Sequence, residues 1–451
     1  MSIITISVGQ CGNQIQKSFY DTLYQNFKEI VKTVPQTTFN ETVCVFFNAT
    51  NKGLEARCVQ IDMEKKSIEY ARSNALKSKS WRYPDNYIHC SSGSANNWAM
   101  GYSYGYQMIK SQINDSIRLE LEKSDRVDAV LTLFSLSGGT GSGITTSLSE
   151  AFNEEFGSKV SNNLVAIWPF IHGEIPVQWY NTLLSLGHLL KDGSSSIINL
   201  KNDSLSDYCQ RQLNTEKVTI NEVNSLIARL LTGFVLPSKK GKSVNSFPVS
   251  DIVQDLCPSV YHKMLRIGTL PYYSEKISPF SVDNWQTITS ETEELYKSNM
   301  GLSSGSGHRY RVQEYTRDFE AIPSKIISSC TLMRGPNSNE ISSESTSVRH
   351  SQINLSKHLR SATMMVNGGG LNFSNQSLGH IAMMNKYPHS LPLFDVDTSL
   401  RFVLRQVSSK LKHLAYIHHY EKFEIGQDVF NECFQCLVQT GKDYKDYSVD
   451  K

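Results

Sequence analysis

The chain has 451 residues, a formal net charge of +2 and 20% charged residues, so two or three domains are expected and no global field points to nucleic acid or to strongly acidic partners. No apolar run approaches the roughly 20 residues of a bilayer-spanning helix, and the start Met1-Ser2-Ile3-Ile4-Thr5 lacks the basic region and cleavage site of a secretory leader. Nine scattered cysteines, an odd number, fit reduced thiols of the cytoplasm better than a disulfide framework.

The first 200 residues alternate strand and helix signals. Residues 3–8 (IITISV) predict a strand, and Ile15, Phe19, Leu23 and Phe27 mark one face of a helix. Residues 57–63 (RCVQIDM), 129–136 (AVLTLFSL) and 164–170 (LVAIWPF) predict further strands. Ile144, Leu148, Phe152 and Phe156 recur at helical spacing between the last two. Strands separated by helices predict an α/β fold, a parallel sheet with helices on both faces and a ligand beyond the carboxyl ends of its strands. Residues 221–234 predict a helix and 362–366 (ATMMV) a strand; the Pro/Gly/Ser stretches 237–243, 301–307 and 335–348 predict surface loops, with Lys239, Lys240 and Lys242 solvated in the first. From about residue 396 the pattern is helical, with Leu400, Val403, Leu404, Val407 and Leu411 on one face. Cys433 and Cys436 have no partner CxxC or His pair, and read as two small buried residues one turn apart rather than as zinc ligands.

The most informative segment is Ser137-Gly138-Gly139-Thr140-Gly141-Ser142-Gly143, which falls where a strand hands over to a helix. Glycines let backbone N–H groups approach a phosphate, and a helix N-terminus favours negative charge. A P-loop is excluded, because Gly241-Lys242-Ser243 would need glycine at 236, which is Leu. The dinucleotide fingerprint fails on its glycine spacing, and a nucleophile elbow fails because position 140 is Thr.

With Gly9-Gln10-Cys11-Gly12-Asn13-Gln14, Asp62-Met63-Glu64, residues 93–101 (GSANNWAMG), Tyr180-Asn181, Asn224 and residues 415–420 (AYIHHY), the glycine loop resembles the tubulin family over nearly the whole chain. Residues 96–103 (NNWAMGYS), 167–170 with Gly173-Glu174, and 415–423 resemble its delta-type branch, and the mixed-charge end 442–451 differs from the acidic tails of the conventional members. The resemblance implies a GTP-binding parallel-sheet domain at 1–202, an α/β intermediate domain at 203–373 and a C-terminal helical region at 374–451. It implies GTP or GDP held by Gln10, Cys11, Gln14, Asn96, Ser137, Gly138, Gly139, Thr140 and Gly141, a ribose contact at Glu174, and guanine recognition by Asn202 and Asn224. Asp62 and Glu64, two carboxylates at a strand end, are the expected Mg²⁺ shell. Expected partners are other tubulins in head-to-tail contact and centriolar or basal-body proteins, with no nucleic acid and no membrane insertion. The expected place is the cytoplasmic cytoskeleton, at centrioles, basal bodies and cilia.

Two positions depart from the family pattern. Ile220 stands where the family stacks an aromatic ring on the base. In the loop expected to reach a neighbour's nucleotide, Asp251-Ile252-Val253-Gln254 carries Gln where the family's hydrolysing member has an acid, and Gln cannot act as a general base. Gln can still orient water, as in other GTPases, so Asp251 and Gln254 are the in-trans candidates for hydrolysis that is slow or partner-dependent at most. A self-polymerising GTPase and a nucleotide-independent scaffold of the same fold are the rival expectations.

Overall fold

A computed structural model describes residues 1–30, 36–78, 80–173, 175–213, 217–240, 246–257, 259–270, 326–334, 364–367, 379–386 and 396–449. In chain order the elements are β1 (Ser2–Val8), α1 (Gly9–Ile30), α2 (Gln36–Phe46), β2 (Phe47–Thr50), β3 (Gly53–Ala56), β4 (Cys58–Asp62), α3 (Lys65–Ser78), β5 (Ile88–His89), α4 (Tyr106–Glu122), β6 (Val127–Ser135), α5 (Thr145–Phe156), β7 (Ser161–Trp168), α6 (Gln178–Lys191), β8 (Ser196–Lys201) and α7 (Asn202–Leu213). There follow α8 (Ile220–Val235), β9 (Ser238–Lys240), β10 (Ser246–Phe247), α9 (Val249–Leu256), β11 (Met264–Leu270), β12 (Ile326–Arg334), β13 (Met364–Asn367), β14 (Gly379–Lys386), α10 (Val396–Leu411), α11 (His418–Glu421) and α12 (Gln427–Val449).

Seven strands run parallel in the order β5-β4-β1-β6-β7-β8-β11, the α/β architecture expected from the alternating signals. Beyond β11 the sheet continues through antiparallel β14 into β12, β13, β9 and β10. Side chains alternate across the pleat and fill two cores. On β6, Ala129, Leu131 and Leu133 pack with α1 and α8, whereas Val130 and Phe134 pack with α4, α5, α6, α10 and α12. Strands buried on both faces explain why these segments read as nearly continuous apolar runs.

Local chemistry sets the helix ends. Thr219 and Glu222 form a reciprocal capping box at the head of α8, worth on the order of 1 kcal/mol. At the other end of the chain, α12 lies on α6 with Cys433 directly against Gly187, where any larger residue would collide. Cys433 is buried as expected, and the neighbouring Cys436 is half-buried. The buried Tyr444 hydroxyl accepts from the Met264 amide at 3.0 Å and ties α12 to β11.

The structure corrects two sequence readings. Ser238–Lys240, expected in a loop, is a strand, because backbone pairing to β13 and β10 supplies an order that its polar side chains do not advertise. Asp251 and Gln254, also expected on a loop, lie on α9, where Val249, Ile252, Val253 and Leu256 form a buried stripe and leave both polar residues outside. The predicted strand at 164–170 stops at Trp168, before Pro169, which has no N–H for the ladder. The stretches 241–243, 301–307 and 335–348 lie outside the described residues.

Candidate functional site

Strand β1 lies between β4 and β6, and the chain leaves it toward β4 but leaves β6 toward β7. Adjacent strands whose connections diverge open a crevice at their carboxyl ends, the usual ligand position in such sheets. The turn after β1 and the glycine loop after β6 meet there. Gly9 has φ +76°, a conformation open mainly to glycine, and a side chain at this residue would lie 3.0 Å from the Gly141 amide. Gln10 is exposed at the first turn of α1, with Cys11 and Gln14 half-buried behind it. Burial pushes the Cys11 thiol up to about 12. The fully buried Asn13 fixes this turn: its Nδ2 donates to the Gly9 and Ile61 carbonyls at 3.0 and 3.3 Å, and its Oδ1 accepts from Ser7 and Gln60 at 2.8 and 3.2 Å.

The 93–101 segment closes the third side. Ala95 and Asn96 are left-handed, with φ +48° and +57°. Two successive residues of this kind cost on the order of 1–2 kcal/mol each and persist only when their surroundings over-determine them. Here they are held from both sides. Ser94 Oγ and Thr140 Oγ1 share a hydrogen bond of 2.9 Å, and the Asn181 Nδ2 donates to the Asn96 carbonyl at 2.8 Å and to the Ser137 carbonyl at 2.7 Å. A Cβ at Gly139 would strike the Asn97 backbone and Ser94 Oγ, whereas one at Gly138 would meet nothing within 4 Å. The glycine loop is thus locked to its neighbour at 139 and open at 138. Ser137, Gly138 and Thr140 are half-buried, Gly139 and Gly141 fully buried, and Asn96 exposed at the rim.

The two carboxylates differ in setting. Asp62 is buried at the end of β4, and its oxygens accept from the Glu64 amide and from the Ser67 hydroxyl at the start of α3. Burial raises its pKa despite these bonds. Glu64 is exposed and lies against Gly93, so it faces the same segment that carries Asn96. Asn202 opens α7 half-buried, Asn224 is buried on α8, and Ile220 heads α8 with 48% of its surface exposed. Asp251 and Gln254 are exposed on α9, which packs on β6 and β12 away from the glycine loop's own turn. Glu174 lies outside the described residues, as does 272–281. The sequence marked Asn181 only as a match to the family pattern and gave it no role in the site, although it contacts two of the three turns; its helix-interior position gives no periodic signal of that contact.

The parallel sheet and the three interlocked turns define an α/β domain with a crevice at the carboxyl ends of β1 and β6, the place where such sheets hold ligands. Residues 2–210 match the family described as "Tubulin/FtsZ family, GTPase domain", and the chain therefore carries a tubulin/FtsZ-family domain. It is similar along its length to the tubulin delta chain of Macaca fascicularis, 28% identical with 98% of this chain and 99% of that one covered. The tubulin delta chain of Homo sapiens is 29% identical over 68% of this chain and 69% of its own. The tubulin beta chain of Saccharomyces cerevisiae is 31% identical over 60% of this chain and 59% of its own. No helix among the described residues is long and apolar enough to cross a membrane.

Proposed function

We propose that this chain is a GTP-binding divergent tubulin of the delta type, a structural or assembly component of centriole and basal-body microtubules that acts in centriole and cilium organisation. The observation that carries the reading is the interlock of the three turns over the switch point, with the Gly138 side left open. Backbone amides of Ser137–Gly141 and of Gln10–Cys11 would hold the phosphates, with Asn96 at the terminal one, Asn202 and Asn224 on the guanine edge and Glu174 on the ribose. Mg²⁺ usually keeps several waters and takes one or two carboxylates, so a donor set of exposed Glu64 beside buried, hydrogen-bonded Asp62 fits it. Bound there, Mg²⁺ would offset the charge of the terminal phosphates.

Asp251 and Gln254, carried outward on α9, would meet the nucleotide of a second tubulin in a head-to-tail contact. Such a contact does not close on itself and builds filaments. With Gln at 254, hydrolysis is slow or dependent on that partner. Titration of the purified protein with fluorescent GTP, GDP and ATP tests the ligand: saturable guanine binding strengthened by Mg²⁺ is expected, and equal or absent binding of all three contradicts it. Tagged protein in ciliated cells is expected at centrioles and basal bodies, and a diffuse signal contradicts that part.

A further inference from the structure

We infer that Asn181 positions the nucleotide cradle and that Tyr420 couples it to the C-terminal segment 414–424; this rests on the reading of the cradle as a nucleotide site. Asn181 is fully buried on α6, and all four hydrogen-bonding positions of its amide are filled. Its Nδ2 donates to the carbonyls of Asn96 and Ser137, one on each of two facing turns. Its Oδ1 accepts from the Trp98 amide at 3.0 Å and from the Tyr420 hydroxyl at 2.7 Å. Carbonyls can only accept and the amide N–H can only donate, so the partners leave a single orientation for the Asn181 amide. That orientation holds the left-handed Asn96 and sets the distance between its turn and the glycine loop.

Tyr420 is the far end of this bridge. It is fully buried, with its ring edge-on to Tyr180 and Phe430. Beside it the Asn97 Nδ2 donates to the His419 carbonyl at 2.8 Å, while the Asn97 Oδ1 accepts from Ala99. Two adjacent residues of one segment therefore reach two adjacent residues of the cradle, through Tyr420–Asn181–Asn96 and His419–Asn97. The segment itself is tightly wound: Leu414, Tyr416 and Glu424 have φ of +50°, +65° and +64°. Leu414 and Tyr416 are 53% and 43% exposed. A displacement of this segment shifts Tyr420, and through it the Asn181 amide. By reciprocity, a nucleotide that fixes the Asn96 and Ser137 turns restrains the segment.

Three substitutions in the full chain separate coupling from packing. Tyr420→Phe removes only the hydroxyl and is expected to weaken fluorescent-GTP binding about threefold to tenfold. Asn181→Asp keeps the acceptor for Trp98 and Tyr420 but sets a carboxylate against two carbonyls, and is expected to weaken binding more than about tenfold. Tyr180→Phe removes a neighbouring buried hydroxyl that has no hydrogen-bond partner among the described residues and is expected to leave affinity unchanged. The readout that packing alone does not move is amide hydrogen exchange. Nucleotide is expected to slow exchange across 414–424 in the unsubstituted protein and to lose that effect in Tyr420→Phe. Undiminished affinity in Tyr420→Phe, or exchange at 414–424 that ignores nucleotide in the unsubstituted protein, overturns the inference alone. An unsubstituted protein that binds no guanine nucleotide overturns the parent reading and this inference with it.

Discussion

Gly138 and Gly139 are adjacent in sequence but face opposite constraints, and replacing each with alanine separates folding from ligand binding. At Gly139 the new methyl group meets the Asn97 backbone and Ser94 Oγ well inside van der Waals contact. Backbone cannot rotate away, so the 93–101 turn must shift, at a cost of about 1–3 kcal/mol in stability. At Gly138 the methyl group meets nothing within 4 Å and the backbone is not left-handed. Stability is then expected to hold within about 1 kcal/mol, and to rise slightly if the unfolded chain loses freedom. The open space beside Gly138 is where a phosphate would approach the loop. Filling it displaces about one charge-assisted backbone hydrogen bond, about 1.5–3 kcal/mol, or roughly ten- to a hundredfold in Kd. Denaturant unfolding and fluorescent-GTP titration on both variants give the two axes. If Gly138→Ala binds GTP as tightly as the unsubstituted protein, no phosphate occupies that space and the cradle reading fails.

Other substitutions probe separate parts of the account. Ile220→Tyr restores an aromatic ring at the exposed head of α8 and is expected to tighten guanine-nucleotide binding by about 1–3 kcal/mol, read by the same titration; unchanged affinity would show that the base lies elsewhere. Cys11, with its thiol pushed up to about 12, carries about one thiolate in ten thousand at pH 8, so peptide mapping after alkylation is expected to find exposed Cys44 modified far ahead of it. Lys263 is buried, donating to the Asp192 carbonyl and Ser194 Oγ, and desolvation lowers its pKa to about 8. Between pH 8 and about 10.5 the unfolded chain holds this proton more tightly than the folded one, so its contribution to stability rises with pH across that window. Urea unfolding is expected to show the protein gaining up to about 3 kcal/mol relative to Lys263→Met over that range, and a constant difference would refute the assignment.

Much of the parallel sheet was legible because strands buried on both faces leave unbroken apolar runs, and residues 129–136 show this plainly. The glycine loop was legible because its spacing excluded the competing phosphate motifs. Less visible was what depends on pairing between distant segments. Ser238–Lys240 has no alternating apolar pattern and becomes a strand by pairing with Met364–Asn367 on one side and Ser246–Phe247 on the other. The buried stripe Val249, Ile252, Val253 and Leu256 was present in the sequence, but eight residues beginning after Pro248 are short enough to pass for a loop. Asn181 stood among the residues that carry the family resemblance, but its bridging role was not legible: it reaches Asn96, Ser137 and Tyr420 from a helix interior, and no spacing rule joins those four residues.

The central claim is that the three interlocked turns hold a guanine nucleotide. Its most direct test is to purify the full chain under native conditions, denature it, and identify and count the released nucleotides by chromatography and mass spectrometry. About one GTP or GDP per chain, reduced in Gly138→Ala, is the predicted result. A chain that releases no nucleotide, and takes up none when GTP and Mg²⁺ are supplied, would contradict it.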